Sequence, residues 1–258
     1  MKQHKTAIID PKAKIADDVE IGPYSIIGPN VSLGSGCVVG PHVVINGDTI
    51  IGKNNKFFQF ASIGEVPQDL KYNGERTQLI IGDNNTFREC VTVNLGTIDD
   101  NGKTVIGSRN LFMAYSHIAH DCIIGDDNIF VNSCALAGHI IVDNFVHVGG
   151  YCGVHQFCKI GSYSFISHSC AIVKDVPPYV MVTGGTDATV CGLNVVGLRR
   201  DNFSDDDILS LKRAYKVIYR KGLKVSEAID ELIEMVPDCP SIQMFVDFLQ
   251  KSERGIIR

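Results

Sequence analysis

The chain has 258 residues and a formal net charge of −5, from 24 basic and 29 acidic side chains. That length can bury a substantial core in one large domain or in a domain with an appendage, and the acidic balance argues against a nucleic-acid partner. No signal-peptide-like apolar core opens the chain, and no run of about 18 apolar residues occurs in it. We therefore expect a cytoplasmic protein without a membrane span, whose nine cysteines are free thiols.

An apolar residue recurs every six positions over most of the chain. One run of these markers goes from Ile9 to Ile63, with further markers in the same phase at Ile81, Phe87 and Val93, and a second run goes from Ile106 to Ile172 without a miss. A period of six fits neither the 3.6-residue period of a helix nor the 2-residue period of a lone strand. It predicts a short strand plus a corner, repeated as the coils of a parallel β-helix.

Two further positions of the repeat favour small residues. The residue after the marker is glycine at positions 22, 28, 34, 40, 52, 64, 107, 125, 149 and 161, and we expect a corner backbone geometry there that suits glycine. The fourth residue after the marker is usually small, and six cysteines occupy it: Cys37, Cys122, Cys134, Cys152, Cys158 and Cys170. We interpret these thiols as small buried hydrophobes.

The chain divides into two regions. Polar, glycine-rich segments near residues 64–80 and 94–105 interrupt the repeat, and we predict that both protrude as loops. After Pro177-Pro178 the spacing becomes helical, with predicted helix starts at Ser204, Ser226 and Pro240. We therefore place a β-helix in residues 1–190 and a C-terminal α-helical domain in residues 191–258.

The repeat resembles the hexapeptide repeat of left-handed parallel β-helix acyltransferases, in which three six-residue faces complete a coil of 18 residues. The resemblance implies a mainly β protein with a left-handed parallel β-helix, and the left hand comes from it alone, since the general crossover rule favours the right. With such coils, His120, His139 and His155 lie on the same face of three successive coils, ~4.8 Å apart. His117 lies at the preceding corner, so we expect four imidazoles along one edge.

This group of histidines has two functional interpretations. His117 and His120 have the spacing of metal ligands, and trimeric left-handed β-helix carbonic anhydrases bind zinc through histidines shared between subunits. A neutral histidine is equally a natural base for deprotonating a hydroxyl. A non-catalytic β-helix scaffold would explain the repeat and the helices but not the histidines.

Residues outside the repeat carry a more specific resemblance. The stretch QFASIGEVPQDLKYNGE (residues 59–75), followed in order by HIAHDC, LAGHI, VHQF, DVPPY and GLNVVGLRR, resembles the UDP-N-acetylglucosamine O-acyltransferases that begin lipid A synthesis. The resemblance implies a homotrimer with active sites between adjacent β-helices, without a metal or another cofactor. It also implies transfer of an (R)-3-hydroxyacyl chain from acyl carrier protein to the glucosamine 3-hydroxyl of UDP-N-acetylglucosamine. Another hexapeptide acyltransferase acting on a nucleotide sugar is the nearest alternative.

The same resemblance implies roles for particular residues. His120 takes the proton from the attacking hydroxyl, Asp121 orients the imidazole, and the backbone N–H of Gly138 binds the oxyanion. Adjacent strand residues face opposite sides, so the pairing of His120 with Asp121 requires a corner between them. The implied sugar and nucleotide contacts are Gln68, Asp69, Lys71, His117, His139, His155, Gln156, Asn194 and Arg200, and the candidates for acyl-length control are His168 and Asp187.

The sequence departs from the family pattern in two places. Asp201 and Asn202 precede Phe203 where the family commonly has a basic residue and a glycine, and Asn94-Leu95 stands where His-Arg is familiar before Gly-Thr. Both changes remove positive charge close to expected substrate contacts.

Overall fold

Twenty-eight short strands and four α-helices make up the computed structural model of the protein, which describes residues 1–258. In chain order the strands are β1 Lys2–Gln3, β2 Ile8–Ile9, β3 Lys14–Ile15, β4 Glu20–Ile21, β5 Ile26–Ile27, β6 Val31–Leu33, β7 Val38–Val39, β8 Val44–Ile45, β9 Asp48–Ile51, β10 Lys56–Phe57, β11 Ser62–Glu65, β12 Gln78–Ile81, β13 Thr86–Phe87, β14 Thr92–Asn94, β15 Lys103–Ile106, β16 Leu111–Phe112, β17 His117–Ile118, β18 Ile123–Ile124, β19 Ile129–Phe130, β20 Ala135–Leu136, β21 Ile141–Val142, β22 His147–Val148, β23 Gly153–Val154, β24 Lys159–Ile160, β25 Phe165–Ile166, β26 Ala171–Ile172, β27 Val180–Thr183 and β28 Thr189–Leu193.

The strands form three sheets, one on each face of the coil. Sheet A contains β1 and every third strand to β25, followed by β27 and β28; sheet B runs in the same way from β2 to β26, and sheet C from β3 to β24. Glu20 pairs in parallel with Val38, 18 residues later, so three strands complete one coil, as the repeat predicts. The final pair, β27 with β28, is antiparallel.

The markers of the repeat fill the inside of the coil. From Ile21 to Ile172 every marker is at most 3% exposed, and in the two-residue strands the marker is the second residue. Four of them, Phe57, Phe87, Phe112 and Phe130, form a stack with neighbouring ring centroids 4.8 or 4.9 Å apart, which is the spacing of neighbouring strands. Any functional site must therefore be formed by the outward-facing side chains and by the corners.

The six cysteines of the small-residue position are buried and unpaired. Burial raises the pKa of Cys122 and of Cys134 to about 12, because the charged thiolate loses its hydration in the apolar interior. The thiols of Cys122 and Cys134 are therefore protonated at neutral pH, and all six buried cysteines act as packing groups, as we interpreted them from the sequence.

The corners contain left-handed backbone conformations, but not at the glycines that follow the markers. The third residue after the marker is the one with positive φ, as at Asp121 (58°) and His139 (62°). Of the ten glycines named from the sequence, only Gly64 has a positive φ. Our expectation that these glycines are needed for a special backbone geometry at the corner was therefore wrong. A Cβ on Gly22 would approach the carbonyl carbon of Gly40 to 2.8 Å, so glycine allows successive coils to lie close together.

The helices pack at the C-terminal end of the β-helix. They are α1 Val195–Arg200, α2 Asp205–Arg220, α3 Val225–Met235 and α4 Gln243–Lys251, with 3-10 turns at Gly185–Asp187, Val236–Asp238 and Pro240–Ile242. The Ser204 hydroxyl caps α2 by accepting the N–H of Asp207 at 3.0 Å, as predicted. The short helix α1 was not predicted. The proposed division at residue 190 falls within β28. No helix of the chain has both the length and the apolar character needed to span a membrane.

Candidate active site

One corner of the β-helix, between sheets B and C, collects most of the predicted site residues. Its turn runs through residues 119–122, between β17 and β18. Loop 1 (residues 66–77) joins β11 to β12 and loop 2 (residues 95–102) joins β14 to β15, so both loops leave from this same corner. Because β11, β14 and β17 are neighbours in sheet B, loop 2 lies one coil and loop 1 two coils before His120.

Successive coils align two columns of residues at this corner. The register of sheet B advances by 18 residues per coil here, since Ile118 pairs with Leu136 and Leu136 with Val154. The two columns are therefore His120, Gly138 and Gln156, and beside it Asp121, His139 and Phe157. His120, His139 and His155 do share a corner, but the expectation of a single histidine column was wrong, because their offsets from the marker differ.

His120 and Asp121 form the buried centre of the corner. Nδ1 of His120 lies 2.9 Å from Oδ2 of Asp121, and the two side chains are only 7% and 0% exposed. Asp121 has a φ of 58°, so the chain turns between the two residues and both side chains meet on one side. When Nδ1–H donates to the carboxylate, Nε2 keeps its lone pair.

Loop 2 supplies further partners of the Asp121 carboxylate. The backbone N–H of Thr97 donates to Oδ1 at 2.8 Å, and the Thr97 hydroxyl donates to Oδ2 at 2.6 Å. The Asp121 N–H in turn donates to Oγ1 of Thr104 at 2.9 Å. These hydrogen bonds compensate the burial of the charge and hold its orientation. We did not predict Thr97 or Thr104; the only sequence signal for Thr97 was the retained Gly-Thr of the family pattern.

His139 lies between two carboxylates beside this pair. Its Nδ1 lies 3.2 Å from Oδ2 of Asp100, in loop 2, and its Nε2 lies 3.9 Å from Oδ2 of Asp121. Its ring meets the His120 ring edge-on at a centroid distance of 5.0 Å and stacks on Phe157 at 4.5 Å. The imidazole is therefore held both by its ring faces and by its nitrogens.

The candidate metal ligands at this corner are His120, Asp121 and His139, one ligand atom of each lying within 4.8 Å of the others. The pair His117 and His120, which has metal-ligand spacing in the sequence, does not form such a group.

Gly138 packs directly against the imidazole of His120. A Cβ on Gly138 would lie 2.5 Å from Cε1 and 2.7 Å from Nε2 of His120, so only glycine leaves room for the ring in this position. The backbone N–H of Gly138 donates to no acceptor within the chain. It is therefore free to bind a ligand oxygen close to Nε2.

A cleft of about 840 Å³ opens at the corner, under the two loops. Its walls consist of Gln68, Asp69, Leu70, Lys71, Asp99, Asp100, His120, His139, Gln156 and Phe157. Six of these are predicted site residues, drawn from loop 1 and from three coils. Lys71 lies 3.6 Å from Asp99, and both side chains are more than half exposed. An exposed ion pair of this kind is weak, so Lys71 is free to exchange its partner for an anionic ligand.

His117 and His155 lie beside the cleft rather than in its walls. Nδ1 of His117 lies 2.7 Å from Oγ1 of Thr92. Burial, with a smaller contribution from His120, lowers the pKa of His117, so at neutral pH its ring is uncharged and suited to hydrogen bonding. His155 is exposed, and its Nδ1 lies 3.1 Å from the carbonyl oxygen of Gln156.

Asn194 and Arg200 lie at a second cavity, of about 480 Å³, whose walls include residues of sheet A. Within one chain they are not brought into the cleft of His120. Oδ1 of Asn194 accepts the N–H of Gly197 at 3.1 Å, and Nδ2 donates to the carbonyl of Tyr163 at 2.9 Å. The Asn194 amide is thus already engaged in capping α1. The Arg200 side chain is exposed.

The two candidates for acyl-length control lie near another corner, between sheets A and B. His168 is exposed in the turn between β25 and β26, and Asp187 is exposed in the 3-10 turn Gly185–Asp187. That 3-10 turn packs against β26. The structure therefore brings the two segments together, outside the walls of the His120 cleft.

Two family profiles match the chain. The profile described as UDP-N-acetylglucosamine O-acyltransferase, domain 2, matches residues 175–257, and the bacterial transferase hexapeptide (six repeats) profile matches residues 4–35 and 103–138. The first covers the C-terminal helices and the second covers parts of the β-helix.

Whole-chain relatives are similar over nearly their full lengths. The acyl-[acyl-carrier-protein]–UDP-N-acetylglucosamine O-acyltransferase of Thiobacillus denitrificans is 52% identical, over 99% of this chain and 98% of its own. The crystal structure of UDP-N-acetylglucosamine O-acyltransferase from Moraxella catarrhalis superimposes with a TM-score of 0.98 at 49% identity, over all of both chains. That of the Arabidopsis UDP-N-acetylglucosamine acyltransferase gives 0.85 at 36%, over 99% of both chains. The predicted fold class, a left-handed parallel β-helix followed by α-helices, is confirmed.

Proposed function

The chain belongs to the acyl-[acyl-carrier-protein]–UDP-N-acetylglucosamine O-acyltransferase family, and from this premise we propose that His120 is the general base of its reaction. The enzyme is an O-acyltransferase that moves an acyl chain from acyl carrier protein to UDP-N-acetylglucosamine, the first step of lipid A biosynthesis. The finer assignment, an (R)-3-hydroxyacyl chain and the glucosamine 3-hydroxyl, is part of our proposal. The family match disfavours the carbonic anhydrase and scaffold hypotheses.

The observation that carries the assignment of His120 is its buried hydrogen bond to Asp121 at the wall of the cleft. The carboxylate holds the proton on Nδ1, so Nε2 is the atom that accepts the hydroxyl proton as the oxygen attacks the thioester carbonyl. Asp121 then stabilises the imidazolium that forms. The imidazolium of His120 then gives this proton to the departing thiolate of the acyl carrier protein, so the transfer neither releases nor consumes a proton.

Gly138 is the proposed oxyanion donor. Its N–H has no acceptor within the chain, and a Cβ on this residue would lie 2.7 Å from Nε2 of His120, so we place the donor and the base beside the same reacting carbon. A backbone donor in such a position contributes typically about 3 kcal/mol to lowering the barrier.

The separation of Arg200 from His120 supports a homotrimer. The cleft of one chain contains Lys71 as a cation for a diphosphate, whereas Arg200 lies exposed at a different cavity. If active sites form between chains, a neighbouring copy brings Arg200 to the cleft and completes the nucleotide site. We also propose a cytoplasmic location, which the nine unpaired cysteines support.

An assay with UDP-N-acetylglucosamine and a series of 3-hydroxyacyl carrier proteins of increasing chain length tests the reaction and the role of His168 together. We expect an O-acylated sugar nucleotide with one preferred length, and we expect His168→Gly to move the optimum to longer chains, because the smaller side chain leaves more room. His4→Gly, at the exposed N-terminus, is the control and should keep the wild-type optimum. Without acylation at any length, the proposed reaction fails; an unchanged optimum in His168→Gly removes only the role of His168.

One face of α2 fits the acyl carrier protein. Lys212, Arg213, Lys216 and Arg220 line a cavity together with apolar residues, and none of the four cations forms a salt bridge within the chain. In a chain with a net charge of −5, this local excess of positive charge suits an acidic protein partner.

Reversing two charges on this face should weaken carrier binding. We expect Lys212→Glu with Lys216→Glu to raise the KM for acyl carrier protein about tenfold or more, with little change in the KM for UDP-N-acetylglucosamine. The control is Lys5→Glu with Lys12→Glu, which makes the same charge change at exposed positions far along the coil. Equal KM values for the two double variants would remove α2 from carrier binding.

A further inference from the structure

We propose that His120, Asp121 and His139 form a Zn²⁺ site whose occupation inhibits the enzyme, so that the metal is an inhibitor and not a cofactor. One ligand atom from each of the three lies within 4.8 Å of the others. Two imidazole nitrogens and one carboxylate oxygen form a donor set that zinc commonly takes, with a water completing the tetrahedron. The cleft beside His120 leaves space for that water.

The distances are close to those that zinc requires. Bonds of about 2.1 Å in a tetrahedral site put the ligand atoms about 3.4 Å apart. Oδ2 of Asp121 lies 2.9 Å from Nδ1 of His120 and 3.9 Å from Nε2 of His139, so the two observed distances bracket the required one. The third pair, one nitrogen from each imidazole, lies within 4.8 Å, so side-chain adjustments of about 0.5–1.4 Å would seat the ion.

Asp100 and Thr97 orient the ligands as outer-shell groups do in zinc proteins. Asp100 accepts from Nδ1 of His139 at 3.2 Å, which leaves the lone pair of Nε2 available on the side of Asp121. Thr97 holds the carboxylate through its N–H and its hydroxyl. A carboxylate behind a histidine ligand is a recurrent arrangement at such sites, and its loss typically weakens metal binding about 10–100-fold.

Zinc at Nδ1 of His120 would stop proton transfer at Nε2. The neutral imidazole carries one proton, and in the metal-free enzyme this proton is on Nδ1, facing Asp121. A metal on Nδ1 requires that nitrogen to be unprotonated, so the ring proton moves to Nε2, which then has no lone pair for the substrate hydroxyl. The site itself rests on geometry alone, whereas the loss of turnover rests on the proposed role of His120.

Calorimetric titration of the full-length protein with Zn²⁺, paired with turnover at the same zinc concentrations, tests the proposal. All proteins carry Cys191→Ser, because Cys191 is an exposed thiol that could bind zinc on its own. We expect one Zn²⁺ per chain, an affinity at least tenfold weaker in His139→Ala and in Asp100→Asn, and wild-type affinity in the control His4→Gln. Turnover should fall as the site fills and return when a chelator is added.

The outcomes separate the site from its effect. Zinc binding that is absent, or as strong in His139→Ala as in His4→Gln, would overturn the site. Binding that depends on His139 but leaves full turnover would overturn the inhibition and count against Nε2 of His120 as the base. Neither result would bear on whether the chain acylates UDP-N-acetylglucosamine.

Discussion

His120→Ala is expected to lower kcat at least a hundredfold, which corresponds to about 2.7 kcal/mol of lost transition-state stabilisation. The substitution removes the imidazole that is hydrogen-bonded to the buried Asp121 carboxylate at 2.9 Å. The KM for UDP-N-acetylglucosamine should change much less than kcat, because the proton moves only as the bond forms. Steady-state kinetics with the preferred acyl chain measures both constants.

The thermal stability of the variant separates catalysis from folding. His120 projects from a corner and is not part of the apolar interior of the coil, and Asp121 keeps both Thr97 hydrogen bonds in its absence. We therefore expect His120→Ala to unfold within a few degrees of the wild type. His155→Ala is an informative comparison, since that exposed ring has no buried partner and should affect KM more than kcat. Nearly full turnover in His120→Ala would remove this residue from the mechanism.

The fold was predictable because each strand and corner of the coil takes six residues, so the sequence repeats with the same period. Each six-residue step needs one apolar residue inside, and the structure buries every marker from Ile21 to Ile172. Helix α1 was missed since its six residues are too few to show a helical period. The second long helix starts at Val225, one residue before the predicted Ser226, because Glu227 caps the chain through the N–H of Lys224.

The site was predictable only as far as the repeat extends. The repeat assigns His120, His139 and His155 to one edge of the coil, and the family motifs add Gly138 and assign the roles, which remain proposals. The positions of Thr97 and Asp100 could not be predicted, because loop 2 lies outside the six-residue repeat. Its path back toward Asp121 depends on hydrogen bonds between residues that are distant in the sequence. Arg200 lies at the other cavity rather than at the cleft, because helix α1 packs beside sheet A and not beside the corner of His120.

Gly138→Ala is expected to reduce kcat by about a hundredfold or more without touching a titratable group, since misplacing a catalytic group by about 1 Å costs about that much. The new methyl carbon would lie 2.5 Å from Cε1 and 2.7 Å from Nε2 of His120, so the imidazole must move away from Asp121 or turn out of the cleft. Gly138 has no positive φ, and alanine therefore causes no backbone strain. The loss reports displacement of His120 from its hydrogen bond to Asp121.

Gly153→Ala is the matched control, because it adds the same methyl group in β23, on the next coil, where nothing lies within 4 Å of the new Cβ. It should keep wild-type kcat and stability, while Gly138→Ala keeps its fold at a cost of about 1–3 kcal/mol from crowding.

Combining Gly138→Ala with His120→Ala removes the ring that the methyl group displaces. If Gly138 acts only by leaving room for His120, the double variant is no slower than His120→Ala; if its N–H also binds the oxyanion and the methyl group disturbs that donor, the double variant is slower still. Gly138→Ala with wild-type kcat would show that the active site accommodates the methyl group and would exclude the role of Gly138 in leaving room for His120; the oxyanion role would stand, because alanine keeps the backbone N–H.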